Sequence, residues 1–165
     1  MNGDKDILTK PVEEFHKISG EILRIAVAVE SYLEFFITNY FCTTQNKALL
    51  FKDNILTGPT GLRFGRKIDI FKAICEREGV PKENYKEVSD AVEYIANTRN
   101  KVAHWEAYFF IKNPQEAKIT LNPPKSIIYK KDEFSPDEKE LATIKIKQKI
   151  TLKISDILIS IQSKQ

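Results

Sequence analysis

Tyr94-Ile-Ala-Asn-Thr-Arg-Asn-Lys-Val-Ala-His104-Trp105 is the stretch whose reading decides the fold. It closes a helical pattern with apolar residues at Tyr85, Val88, Val92, Ile95 and Val102. Those gaps of 3, 4, 3 and 7 residues mark the stripe of a helix packed against other helices. One position on the stripe, between Ile95 and Val102, is not apolar and holds Arg99. A guanidinium buried without a partner costs on the order of several kcal/mol. A structural account therefore pairs Arg99 with an acid of another helix, such as Glu30 or Glu34. Asn100 and His104 are four residues apart and so about 40° apart on one helical face, at about 100° per residue. Arg99 and His104 are about 140° apart and flank a common edge. An anion binder, an amide and a titratable imidazole thus meet at a helix end.

Upstream of this helix, residues 1–9 read as a polar arm, and Pro11 is expected in the first turn of a long helix over 11–42. Phe15, Ile18, Ile22, Ile25, Val29, Tyr32 or Leu33, Phe36 and Tyr40 form its stripe, widened by Ile37 and Phe41. Glu13, Glu14, Lys17, Glu21, Arg24 and Glu34 form a face expected in solvent. His16 reads as a surface or boundary residue. Ala48-Leu-Leu-Phe51 suits a short helix and Thr57-Gly-Pro-Thr-Gly61 a turn. Leu62 to Arg77 is a second main helix with Ile68, Phe71, Ile74 and Cys75 inward, ended by Gly79. Glu83, Lys86, Glu87, Asp90 and Glu93 give the following helix a solvated acidic face.

Downstream of Trp105 the period changes. Tyr108–Ile111, Lys118–Leu121 and Ser126–Tyr129 are short β-branched and aromatic runs, divided by Asn113-Pro114 and Asn122-Pro-Pro124. They predict a small antiparallel β meander over about residues 106–131. Ser135, Pro136 and Glu138 suit the N-cap, N1 and N3 of a capping box. The last helix, about 136–163, is expected to bury Ile146, Ile150, Ile154, Ile157 and Ile161, with Leu158 beside them. The fold class is therefore mainly α: an antiparallel helical bundle with a β meander before the C-terminal helix, in one domain over 1–165.

Composition fits this picture. An apolar fraction of 42% and a charged fraction of 30% are ordinary for a globular chain of 165 residues. A net charge of +3 permits an anionic partner without demanding one. Cys42 and Cys75 lie in apolar helical stretches with no second ligand at metal spacing, so buried, reduced thiols are expected. No run reaches the roughly 20 apolar residues of a membrane span, and no secretory h-region follows Met1. The expected location is the cytoplasm, with no membrane partner.

Arg99-Asn100-Lys101-Val102-Ala103-His104 resembles the Arg-polar-x(3–5)-His motif of the HEPN superfamily. These are small α-helical domains, many of them metal-independent endoribonucleases of toxin and defence systems. A long first helix, a second rich in Phe and Ile, and a helix ending in the motif match the family's order over roughly residues 10–105. The C-terminal helix would fit the last helix of such a bundle. The resemblance implies an RNA substrate, a homodimeric site, and a cognate antitoxin or second component. It assigns Asn100 to orient His104 or the scissile phosphate. Many HEPN-like proteins only bind nucleotides or a partner protein, so a non-catalytic interaction module is the alternative.

The residues themselves suit the chemistry. RNA carries its own nucleophile, the 2′-OH, and transesterification needs a base, an acid and positive charge on the phosphorane. An imidazole, with a pKa of about 6.5, can act as either base or acid near neutrality. A guanidinium forks onto two phosphate oxygens. Arg99 and His104 supply these functions with no metal or cofactor. One imidazole serves one of the two proton transfers, and a symmetric dimer would supply a second. Arg63, Arg66 and Lys67, beside Gly58, Gly61 and Gly65, do not have the spacing of a phosphate loop. They remain candidates, with Lys101, for contact with an RNA backbone.

Overall fold

The computed structural model describes residues 3–111, 117–122 and 134–164. The chain is mainly helical. Its order is α1 (Gly3–Phe41), α2 (Gln45–Phe51), a π turn (Lys52–Leu56), α3 (Phe64–Arg77), α4 (Lys82–His104), β1 (Glu106–Ile111), β2 (Ala117–Asn122), α5 (Glu138–Thr151) and α6 (Lys153–Gln162). It divides into two compact units, Met1–Ile25 with Asn97–Lys145, and Ala26–Ala96 with Ile146–Gln165.

The secondary-structure elements described in the second unit are all helical. Its core takes Val29, Leu33, Phe36 and Ile37 from α1, Phe71, Ile74 and Cys75 from α3, and Val88, Val92 and Ile95 from α4. Ile154, Leu158 and Ile161 come from α6. Phe36 and Phe71 meet edge to face at 5.0 Å, the favourable arrangement for two ring quadrupoles. α3 ends in a Schellman motif. Gly79 has φ 64°, its N–H donates to the Glu76 carbonyl, and the Val80 N–H donates to the Cys75 carbonyl. In the π turn the Thr57 N–H reaches back five residues to the Lys52 carbonyl at 2.9 Å. The chain then folds back so closely that a Cβ on Gly58 would stand 2.5 Å from the Asp53 carbonyl oxygen.

The first unit holds the strands and the end of α4. β1 and β2 pair antiparallel, with Phe109 opposite Ile119 and Ala107 opposite Leu121. Phe134 makes an isolated bridge to Leu121. Ile18, Ile22 and Ile25 of α1, Thr98 of α4, Ile119 and Leu121 of β2, and Leu141 and Ile144 of α5 are buried. Asp137 caps α5, its Oδ1 accepting from the Glu140 N–H at 2.8 Å.

Several expectations change. The arm over 1–9 is helical from Gly3, and Pro11 lies inside α1. Proline removes the bond to the Ile7 carbonyl and its ring crowds that carbonyl, about two turns from the helix start, yet the helix continues past it. The described residues hold a two-stranded pair rather than a meander; the third run, 126–129, lies outside them. The last helix is two, α5 and α6, with Leu152 between them. Such a break rephases the stripe, and Ile146 is 61% exposed while Leu141 and Ile144 are buried. Ser135 is not the cap: its hydroxyl donates to the Ile119 carbonyl at 2.8 Å, and Asp137 takes the capping role. Phe41 is exposed, Cys42 is half-buried, and Glu34, expected in solvent, is 6% exposed.

Candidate functional site

α4 carries the motif to its last turn. Tyr85, Val88, Val92 and Ile95 are buried, as their spacing requires. The stripe then passes through Thr98, three residues on, and not through Arg99. Thr98 is 4% exposed, and its hydroxyl bonds the Glu140 carboxylate of α5 at 3.3 Å. Arg99 is turned aside and half-buried, while Asn100 and His104 are exposed. Arg99 Nη1 donates to Asn100 Oδ1 at 3.1 Å. The amide thus steadies the guanidinium and leaves the rest of its donor fork to other acceptors. Lys101 and His104 lie in the last turn, where cations complement the unpaired carbonyls.

Lys101 and Trp105, one turn apart, form a second column beside Asn100 and His104. The Trp105 N–H donates to the Lys101 carbonyl at 3.0 Å. Lys101 Nζ stands 5.3 Å from the Trp105 ring and 5.0 Å from the Phe134 ring, both cation–π distances. Sequence reasoning noted Lys101 but not this aromatic pair. The four-residue spacing of Lys101 and Trp105 was the available signal; Phe134 comes from a distant part of the chain.

The basic trio of the second unit separates. Arg63 is exposed. Arg66 is exposed and pairs with Asp69 at 3.2 Å. Lys67 is 3% exposed, and its ammonium is held by Glu30 at 2.7 Å and Glu34 at 2.6 Å. Lys52 approaches Glu34 at 4.0 Å from the solvent side. Lys67 is therefore an interior cation, matched by two carboxylates rather than presented at the surface. Glu30 and Glu34, two acids that a structural pairing of Arg99 could have used, are engaged by Lys67. The surrounding α3 pattern of Phe64, Ile68 and Phe71 places Lys67 on the buried stripe, and that spacing was readable.

A groove of about 580 Å³ in the second unit is lined by Val80, Pro81, Glu87, Lys153, Ile157 and Ser160. It contains none of the motif residues, and its Lys153–Glu87 pair at 2.7 Å neutralises itself. Volume alone does not single it out as the place of chemistry. Among the described residues, no group of three or more His, Cys, Asp and Glu side chains could hold a metal ion, and no helix is long and apolar enough to cross a membrane. No protein-family model, curated protein or solved structure matches the chain.

Proposed function

We propose that the end of α4 is the working end of a HEPN-type, metal-independent endoribonuclease, a toxin or defence component acting on RNA in the cytoplasm. The observation that carries this reading is the state of the motif. Asn100 and His104 are solvent-exposed, and Arg99 is steadied by Asn100 while Glu30 and Glu34 are taken by Lys67. A structural arginine would have its charge matched in the interior; this one keeps donors for an incoming anion.

In the proposed reaction the 2′-oxygen of one nucleotide attacks the adjacent phosphorus, and the bond from phosphorus to the 5′-oxygen breaks. The proton of the 2′-hydroxyl goes to a base, and the leaving 5′-oxygen takes one from an acid. The products are a 2′,3′-cyclic phosphate and a free 5′-hydroxyl. His104 performs one of these transfers and Arg99 forks onto the phosphorane oxygens. A homodimer supplies the second imidazole by bringing two motifs to one phosphate. A cognate antitoxin or second component would restrain the activity.

The test is incubation of the protein with mixed RNA in EDTA, with the fragment ends read by mass. Cleavage leaving cyclic phosphates is the expected result. A protein inert on every RNA offered would overturn the reading in favour of a non-catalytic interaction module.

A further inference from the structure

We propose that Trp105, with Lys101 and Phe134, is a platform for an unpaired nucleobase, so that the RNA taken at the end of α4 is single-stranded beside the bond that is cut. The inference rests on the endoribonuclease reading above.

Two i,i+4 columns stand side by side at the end of α4, the second running from Lys101 in its last turn to Trp105 just beyond it. One carries the amide and imidazole of Asn100 and His104, and the next carries Lys101 and Trp105. Trp105 follows His104 directly, so a base lying on its indole belongs to a nucleotide next to the phosphate that His104 would serve. The indole is only half-buried. Phe134 packs against it, its ring perpendicular to the indole at 6.4 Å. Phe134 is itself fixed by two backbone bonds with Leu121, at 2.6 and 3.0 Å. A large aromatic ring is therefore held in place yet left partly in solvent, with the Lys101 ammonium over one face at 5.3 Å, so a base would lie on the opposite face. Unpaired bases stack on such rings, while lysine beside them meets the phosphate of the same strand. A base paired inside a duplex has both faces covered by its neighbours and cannot do this.

Trp105 is the single tryptophan of the chain, so its fluorescence reports on this site alone. The experiment titrates His104→Ala, which should bind RNA without consuming it, with a short mixed-sequence single-stranded RNA and with a duplex of the same sequence. Saturable quenching by the single strand and little by the duplex is expected. Alongside, Trp105→Ala should raise KM for single-stranded RNA roughly 5- to 150-fold with kcat close to the parent's, and Trp105→Phe should recover much of the loss. Equal quenching by duplex and single strand overturns the proposal. So does a Trp105→Ala protein that cleaves with the parent's KM, and in that case the endoribonuclease reading stands. Quenching without cleavage in the parent keeps the platform and removes the endoribonuclease. Neither quenching nor cleavage removes both. If Trp105→Ala does not fold, quenching of the tryptophan-containing protein decides the matter.

Discussion

Two cations, Lys67 and Arg99, occupy comparable places in sequence, each on or beside the apolar stripe of a helix, and the molecule treats them in opposite ways. Lys67 is sealed among Phe64, Ile68 and Phe71 and held by two carboxylates within 2.7 Å. Arg99 is displaced from the stripe by Thr98, half-exposed, and bonded to a neutral amide. A buried charge needs full compensation, because the desolvation of an uncompensated ion is severe. Incomplete compensation at a surface leaves capacity for a ligand. The difference separates a cation matched by carboxylates in the interior from one matched at the surface by a neutral amide; the spacing of α3 foretells the burial of Lys67 but not its partners.

The largest expected effect tests the chemical side of this contrast. His104→Ala should lower RNA cleavage by about 10²–10⁴-fold, the usual contribution of a general acid or base, with the melting temperature unchanged. Arg99→Lys should not fully restore the activity lost in Arg99→Ala, because an ammonium cannot fork onto two oxygens. If Arg99→Ala melts the protein while His104→Ala changes no activity, the contrast is broken.

The structural side comes next. Lys67→Ala leaves Glu34 buried without its ammonium, and urea unfolding should show a loss of about 3–5 kcal/mol. Replacing Glu30 and Glu34 by Gln in the same protein should recover part of it. A Lys67→Ala protein of parental stability would show that the buried cluster does not hold the helices. A smaller loss, about 1 kcal/mol by the same measurement, is expected for Asp137→Ala, which uncaps α5.

The smallest effects lie at the thiols. Burial pushes the Cys75 thiol from 9.0 up to about 12. The folded chain then holds that proton more tightly than the unfolded chain does. The resulting stability is present below pH 9, and is lost as pH rises toward 12. At pH 8 a thiol reagent should label half-buried Cys42 well before Cys75; equal rates would show that the second unit opens readily.

The helical stripes of α3 and α4 were legible because burial leaves a 3.6-residue period in the sequence. Gly79 announced the end of α3 for an equally local reason, its positive φ. The illegible features depended on partners distant in sequence or on a choice among similar local signals. Glu34 looks like a surface acid until Lys67, 33 residues on, is known to meet it. Ser135 and Asp137 are both good capping residues, and the Ile119 carbonyl decides between them by taking the serine hydroxyl. No glycine or proline marks the break at Leu152. At the candidate site, the spacing gave the shared face of Asn100 and His104. It put Arg99 on a stripe that turns instead to Thr98, and it could not bring Phe134 to Lys101.

The π turn at Lys52–Leu56 has a consequence for lineage and for engineering. A π turn holds one residue more than an α turn, which rotates the next residues by about 100° around the axis. Here it leaves Leu56 fully enclosed while Ile55 is 47% exposed. Deleting one residue between 52 and 56 should restore regular α geometry and swing Leu56 outward. Any chain with an unbroken helix in this place must be aligned to this one with a single-residue gap; without it, every position as far as the Gly58 turn is compared with the wrong neighbour.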